Sequence, residues 1–149
     1  MDVRIETGNR AAAYWGLGRI PELESLPAPD VFWSRIEGRP ALILTAHRQQ
    51  AVVGVKIGYE RYQDGSFYSW LGGVVPEARR QGVASALLRE QESWAWQAGY
   101  RCIRVKTRPV FPGMIALLHR HGYRESRREE RESWEETRIW FIKEREDVV

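Results

Sequence analysis

The spacing of apolar positions along the chain switches between two periods. Ala41–His47 is a nearly continuous apolar run and predicts a strand. Gln49-Gln50 follows as a turn, and Ala51–Glu60 has the β-branched content of a second strand, paired to the first as a hairpin. Asp64-Gly65 is a turn signal, and Phe67–Val75 predicts a third strand. The period then changes. Over Val83–Gly99 the apolar residues Val83, Ala84, Leu87, Leu88, Trp94 and Ala95 recur near helical spacing, and Gly99 supplies the stop. Cys102–Thr107 reads as a short strand, Gly113–His121 as a helix closed by Gly122. Tyr123–Arg131 and Thr137–Lys143 read as a terminal hairpin. Ahead of all these, the stretch from Gly8 to Gly38 carries helical patches broken at Pro21, Pro27 and Pro29. Short helices are expected near Arg10–Gly18 and Asp30–Ile36, the second with Asp30 as N-cap. Strand–helix–strand in the middle, with hairpins on both sides, is a mixed α and β order.

Composition narrows this picture. A length of 149 residues fits one domain, 1–149, with a sizeable core. The chain is 43% hydrophobic and 29% charged, ordinary values for a globular protein. Seven tryptophans are many for this length and are assigned chiefly to an aromatic core. The net charge of +3 favours anionic ligands mildly, and the basic residues are interleaved with acidic ones, so no nucleic-acid partner is expected. The run "RESRREERESWEETR" reads as solvated strand faces and a loop. The lone Cys102 forms no intramolecular disulfide and fits a reducing compartment. No run reaches transmembrane length and no signal-peptide pattern opens the chain, so a cytoplasmic protein without a membrane partner is the expectation. No Cys/His spacing resembles a metal site.

The segment between the third strand and the long helix is where chemistry concentrates. It runs Arg79-Arg80-Gln81-Gly82-Val83-Ala84-Ser85. A helix N-terminus exposes unpaired N–H groups and the positive end of the helix dipole, and a phosphate is its natural ligand. Gly82 has no side chain to hold a pyrophosphate off the backbone, and Ala84 is nearly as small. Arg79 and Arg80 add positive charge, and Ser85 adds an amide and a hydroxyl. Neither a P-loop motif nor a G-x-G-x-x-G fingerprint is present. A plain strand–turn–helix connection with surface arginines is the alternative.

Arg79-Arg80-Gln81-Gly82-Val83-Ala84 resembles motif A of the GCN5-related N-acetyltransferases, R/Q-x-x-G-x-G/A, and Val74-Val75-Pro76-Glu77 matches the usual strand ending before it. "MIALLHRHGY" resembles that family's motif B helix, with Gly122-Tyr123 where a Gly-Phe is usual. The likeness spans roughly residues 41 to 143. It implies an α+β fold: a mixed, largely antiparallel central sheet flanked by helices, in which two parallel strands, Phe67–Val75 and Cys102–Thr107, splay apart. It further implies that acetyl-CoA lies in the splay as co-substrate, with no metal. The pantothenate arm would pair with the backbone of Gly73, Val74 and Val75, and the pyrophosphate would take amides of Arg80, Gln81, Gly82, Val83, Ala84 and Ser85. A backbone N–H near Leu71 or Gly72 would polarise the thioester carbonyl, with Gly72-Gly73 easing a bulge. The acceptor would be a small-molecule or peptide amine attacking directly, without an acyl-enzyme. A homodimer stays open.

The chemical half of the family pattern departs from type. Leu118 stands where a tyrosine acid is common, and Phe111 where an asparagine often opens motif B. That departure keeps a second reading open: a non-catalytic acyl-CoA-binding or regulatory module of the same fold. Glu60 is either the general base or a surface glutamate beside Arg61. Tyr68 occupies the position of a catalytic glutamate in many relatives, and either orients water, lines the amine pocket or packs in the core. His119 and His121 are either an acid or base of the reaction or, the preferred reading, charges capping a helix C-terminus, and Cys102 is read as a buried strand residue. Tyr14, Trp15, Trp33 and Tyr62 either wall the acceptor pocket or pack in the core.

Overall fold

The computed structural model describes residues 2–23 and 25–146. In chain order the elements are β1 (Arg4–Thr7), α1 (Arg10–Leu17), α2 (Pro29–Ser34), β2 (Ala41–Arg48), β3 (Ala51–Tyr59), β4 (Ser66–Val74), α3 (Val83–Gln97), β5 (Cys102–Thr107), α4 (Pro112–Arg120), β6 (Arg124–Glu129) and β7 (Arg138–Glu144), with short 3₁₀ turns at Pro76–Ala78 and Trp134–Glu136. The strands form one open sheet in the order β1-β2-β3-β4-β5-β7-β6. Every neighbouring pair is antiparallel except β4 and β5. The fold is therefore the mixed, largely antiparallel α+β arrangement expected.

Local chemistry explains most boundaries. Asn9 caps α1 by accepting from the Ala12 N–H at 3.0 Å. In α2 the N-cap is Ala28 and Pro29 is the first helical residue, so Asp30 sits inside the first turn rather than capping it. Its carboxylate still favours the positive end of the helix. β1 was not expected from the sequence. Its four residues hold one strongly apolar side chain, Ile5, and its existence depends on pairing with β2.

The helices divide between the two faces. A Cβ at Gly73 would meet Ile20, and one at Gly16 would meet Val52 and Val55, so α1 and the segment after it cover one face. Trp70 stacks on Phe32 of α2 on that same face, ring centroids 5.1 Å apart. A Cβ at Gly54 would instead meet Val83 and Leu87 of α3. His119 of α4 meets Phe141 edge-on, and Phe141 pairs with Val105, which places α4 on the α3 face. The core between these layers includes Ile57, Phe67, Ile103 and Leu118, all with no exposed surface. Each such burial contributes roughly 1.5–3 kcal/mol.

Two irregularities shape the centre of the sheet. β3 and β4 lose register between Ile57 and Gly58: Ile57 faces Leu71, Gly58 faces Ser69, and Trp70 is the extra residue of a bulge. The parallel pairing of β4 with β5 runs from Ser66↔Cys102 to Ser69↔Val105 and stops there. β4 continues to Val74 on β3, and β5 to Thr107 on β7, without pairing to each other. The strands part at the bulge, and the gap they leave opens into a cavity.

Candidate active site

A cavity of about 1070 Å³ runs through this gap from the N-terminus of α3 to the opposite face of the sheet. At its α3 end, Gly82 is the N-cap with φ +85° and Arg80 has φ +61°. The left-handed conformation at Gly82 turns the chain from the 3₁₀ segment into the helix and suits glycine. The first bond of the helix runs from the Ala86 N–H to the Gly82 carbonyl at 3.0 Å. The N–H groups of Val83, Ala84 and Ser85 are left to point out of the helix end. Gly72, Gly73, Val74, Arg79, Arg80, Gly82, Val83, Ala84 and Ser85 all line the cavity.

Val75 and Gln81 do not line it. Val75 is buried and donates to the Val53 carbonyl at 3.0 Å, continuing the β3–β4 ladder. Gln81 is exposed and reaches back to the Glu77 carbonyl at 3.3 Å. Arg79 reaches the cavity wall as a brace. Its guanidinium holds both oxygens of Glu22 at 2.7 and 2.6 Å, and its Nε donates to the Val74 carbonyl at 3.0 Å. That pair ties the segment after α1 to the end of β4 and largely cancels the charge of Arg79. Arg80 from the loop and Arg120 from α4 are the cationic groups on this side of the cavity outside that pair. The Ser85 hydroxyl is 3.0 Å from His121 Nε2. Burial holds His121 below the usual imidazole range, so it is a neutral partner of Ser85 rather than a charge capping α4.

In the middle of the cavity, the β5-facing edge of β4 beyond Ser69 has no strand partner, so its backbone groups short of the Val74 carbonyl, which Arg79 holds, are open to a ligand. Gly72 is in register with Lys56, and a Cβ there would come 2.6 Å from the Val55 carbonyl oxygen. Glycine at 72 lets the two strands approach. The bulge expected at Gly72-Gly73 lies instead at Trp70, where the strands part. Lys56 lines the cavity on the α3 face, beside Gly72. Burial pulls its ammonium down to about 8, against a smaller opposing pull from Glu92.

At the far end, on the face of α1 and α2, the lining changes to Tyr68, Trp70, Arg35, Lys106, Arg108 and Arg138. Tyr68 is buried, with its ring against Tyr59 at 5.6 Å and Trp140 at 5.8 Å. Burial raises its phenol above the ordinary range, only partly opposed by Arg61, so it is a protonated wall at neutral pH. Phe111 also lines the cavity.

The structure does not bring Glu60 to this site. Glu60 follows β3 at the closed end of the β4–β5 pair, its N–H bonded to the Pro40 carbonyl at 2.9 Å, and it is not a lining residue. Its carboxylate faces Tyr100, whose phenol is pushed up to about 12, first by burial and then by Glu60. Leu118 is fully buried, and Leu117 of the same helix lines the cavity instead. Trp33 packs in the core, Tyr14 is partly buried against Phe32, and Trp15 and Tyr62 are exposed; none of the four lines the cavity. Cys102 is half-buried on β5. Among the described residues no group of His, Cys, Asp or Glu is arranged to hold a metal ion.

Among the lining residues that escaped sequence reasoning are Arg35, Lys56, Trp70, Lys106, Arg108 and Arg138. Two had a signal. Lys56 interrupts the apolar run "VVGVKIGY", and strand alternation in "CIRVKT" sets Arg104 and Lys106 on the face opposite Ile103 and Val105. The others meet only through the tertiary fold.

Comparison with known proteins agrees with this architecture. The profile of the Acetyltransferase (GNAT) family matches residues 10–123. None of the curated proteins matches significantly. Among solved structures, Ard1 from Thermoplasma volcanium is similar with a TM-score of 0.82 at 14% identity, covering 99% of this chain and 100% of that one. The ribosomal-protein-S18-alanine N-acetyltransferase from Escherichia coli gives 0.78 at 18% identity, covering 94% and 92%. An acetyltransferase from Bacillus subtilis in complex with CoA gives 0.75 at 16%, covering 96% and 99%. The splayed parallel strands, the glycine-led helix and the matched family profile together place this chain in the GNAT acetyltransferase family.

Proposed function

We propose that this protein transfers an acetyl group from acetyl-CoA to an amine by direct attack. The observation that carries the reading is the end of β4–β5 pairing at Ser69↔Val105, beside the Trp70 bulge and in one cavity with the N-terminus of α3. The free N–H groups of Val83, Ala84 and Ser85 suit a pyrophosphate, with Arg80 and Arg120 as cationic neighbours. The edge of β4 from Trp70 to Gly73, which no strand pairs on the β5 side, suits the amide-bearing pantetheine arm. An N–H at the bulge suits the thioester carbonyl oxygen as charge develops on it.

In the transfer, the amine nitrogen bonds to the acetyl carbon, the carbon–sulfur bond breaks, and the sulfur leaves as thiolate. The nitrogen gives up a proton to water in the cleft, and the thiolate takes one from solvent. With Glu60 turned away and Leu118 buried, no side chain takes the role of base or acid that the family pattern suggests. Catalysis then rests on positioning and on the backbone N–H. Tyr68 shapes the acceptor side.

The buried, cavity-averse Leu118 also favours the second reading, an acyl-CoA-binding module without turnover. Thiol release from acetyl-CoA over a panel of amines separates the two. Amine-dependent release supports the enzyme. Tight acetyl-CoA binding with no release from any amine supports the module. In either case Gly82→Glu, which puts a carboxylate into the pyrophosphate cradle, should abolish acetyl-CoA binding in a folded protein. Unchanged affinity in that variant would overturn the site assignment.

A further inference from the structure

On the face of the sheet away from α3, the cavity is bounded by more cations than carboxylates. Arg35 lies over Trp70 with its guanidinium carbon 4.9 Å from the ring centroid. Lys106 Nζ lies 5.2 Å from the centre of Trp140. Arg61, just behind, is 4.9 Å from Tyr68 and 6.0 Å from Trp140. None of these three is in an ion pair among the described residues. Arg108 and Arg138 share one carboxylate, Glu136, at 3.1 and 3.5 Å. The acidic group facing Lys106 is Glu129, which already pairs with Arg127 and Arg131 and accepts from Trp140 Nε1. The crowding registers on Lys106, whose ammonium is held below its usual range by burial first and then by Arg61, Arg138 and Arg35, against Glu129.

These cations are not placed to hold the phosphates of a coenzyme. The exposed N–H groups of α3, with Arg80 and Arg120, lie at the other end of the cavity, across the sheet. Aromatic rings behind Arg35, Arg61 and Lys106 fix each cation and limit its hydration, which strengthens its attraction for an anion.

We infer that the amine acceptor of the transfer proposed above carries an anionic group, a carboxylate or phosphate, that Arg35 and Lys106 receive while the amine faces the β4–β5 gap. A guanidinium and an ammonium converging on one opening match such a group in charge and in hydrogen-bond donors. The same field repels polycations such as spermidine or aminoglycosides. It also disfavours the ammonium form of a bound amine, and so favours the neutral nucleophile where no side-chain base is at hand.

The test uses acceptor pairs with the same amine, one anionic and one neutral: 4-aminobutyrate against its amide, 2-aminoethyl phosphate against 2-methoxyethylamine, and a tripeptide with glutamate at its second position against the glutamine form, with spermidine as the cation. The expected result is kcat/KM at least about 10-fold higher for one or more anionic members, with spermidine the poorest. Which anionic member leads distinguishes free carboxylate, phosphate and peptide side chain. Arg35→Gln and Lys106→Gln should each cut that preference by roughly 10-fold through KM, leaving acetyl-CoA affinity as in the wild type. Equal or better use of the neutral or cationic members overturns the inference. If no member supports turnover, calorimetry of the same amines against the protein saturated with coenzyme A decides it. Tighter binding of an anionic member upholds the anion site although the enzyme reading fails, and no difference overturns it.

Discussion

Lys56 is a costly side chain to bury in the sheet. It is 8% exposed, and its folded-state value of about 8 lies well below the 10.5 of a free lysine. The unfolded chain therefore binds more protons than the folded one between those two values. The penalty is present in full below about pH 8, shrinks as pH rises toward about 10.5, and is then gone. From the difference in pKa it is roughly 3 kcal/mol. Lys56→Met should accordingly raise stability in urea denaturation by about 1–3 kcal/mol at pH 7, and the gain should fade by pH 10. Comparing the variant with the wild type at each pH matters, because Tyr68, Tyr100 and Tyr123 all have raised phenols and destabilise the folded state at high pH in both proteins. A gain that is flat with pH would show that Lys56 is solvated in the folded state.

At the scale of elements, the site depends on how closely β3 and β4 approach and on what α3 presents to them. Gly72→Ala would place a Cβ 2.6 Å from the Val55 carbonyl oxygen. The backbone would have to give way, at a cost of roughly 1–3 kcal/mol, and acetyl-CoA affinity should fall because the same strand edge bounds the cavity. Thermal unfolding and cofactor titration of that variant check both halves. On α3, Glu92 is buried and holds Lys143 of β7 at 3.1 Å while facing Lys56. Glu92→Ala leaves two cations without their carboxylate and should destabilise by roughly 3 kcal/mol or more. The elements themselves were largely legible in the sequence. Cys102–Thr107 was found with its observed ends, and the glycine-led start of α3 followed from residues 79 to 84. What the sequence concealed depends on register. The bulge sits at Trp70, an aromatic residue that carries no bulge signal, because it marks where parallel pairing ends rather than where glycine permits it. The position of Glu60 was equally hidden. Nothing local says that a strand end lies at the closed side of a splay it cannot yet see.

For the molecule as a whole, the cleft divides the sheet into two halves. β1, β2 and β3 continue into β4 through unbroken ladders apart from single bulges, and β5, β7 and β6 form the other half. The halves touch as strands over only Ser66–Ser69 and Cys102–Val105. A ligand seated in the gap and bound only by the folded protein adds to its stability, by about 2.7 kcal/mol at a hundred times its Kd. Acetyl-CoA should therefore raise Tm and slow hydrogen exchange selectively at residues 70–75 and 83–86, with little change in β1 and β2. Uniform slowing across the whole sheet would mean that exchange proceeds by global unfolding, and slowing confined to other segments would move the binding site.

The sheet is open, so it has two outer strands, and both are poor templates for recruiting another chain. β1 is four residues long with Arg4 and Glu6 along it, and β6 reads RESRRE with five of its six residues exposed. Charge of both signs on a short or solvated edge discourages edge-to-edge addition and the aggregation that follows from it. The cost of that protection is a hairpin with little apolar grip of its own: β6 is held by its ladder to β7 and by ion pairs such as Arg124–Glu144 at 2.8 Å. Replacing its outward charges with valine and threonine would make a better strand and a less soluble protein.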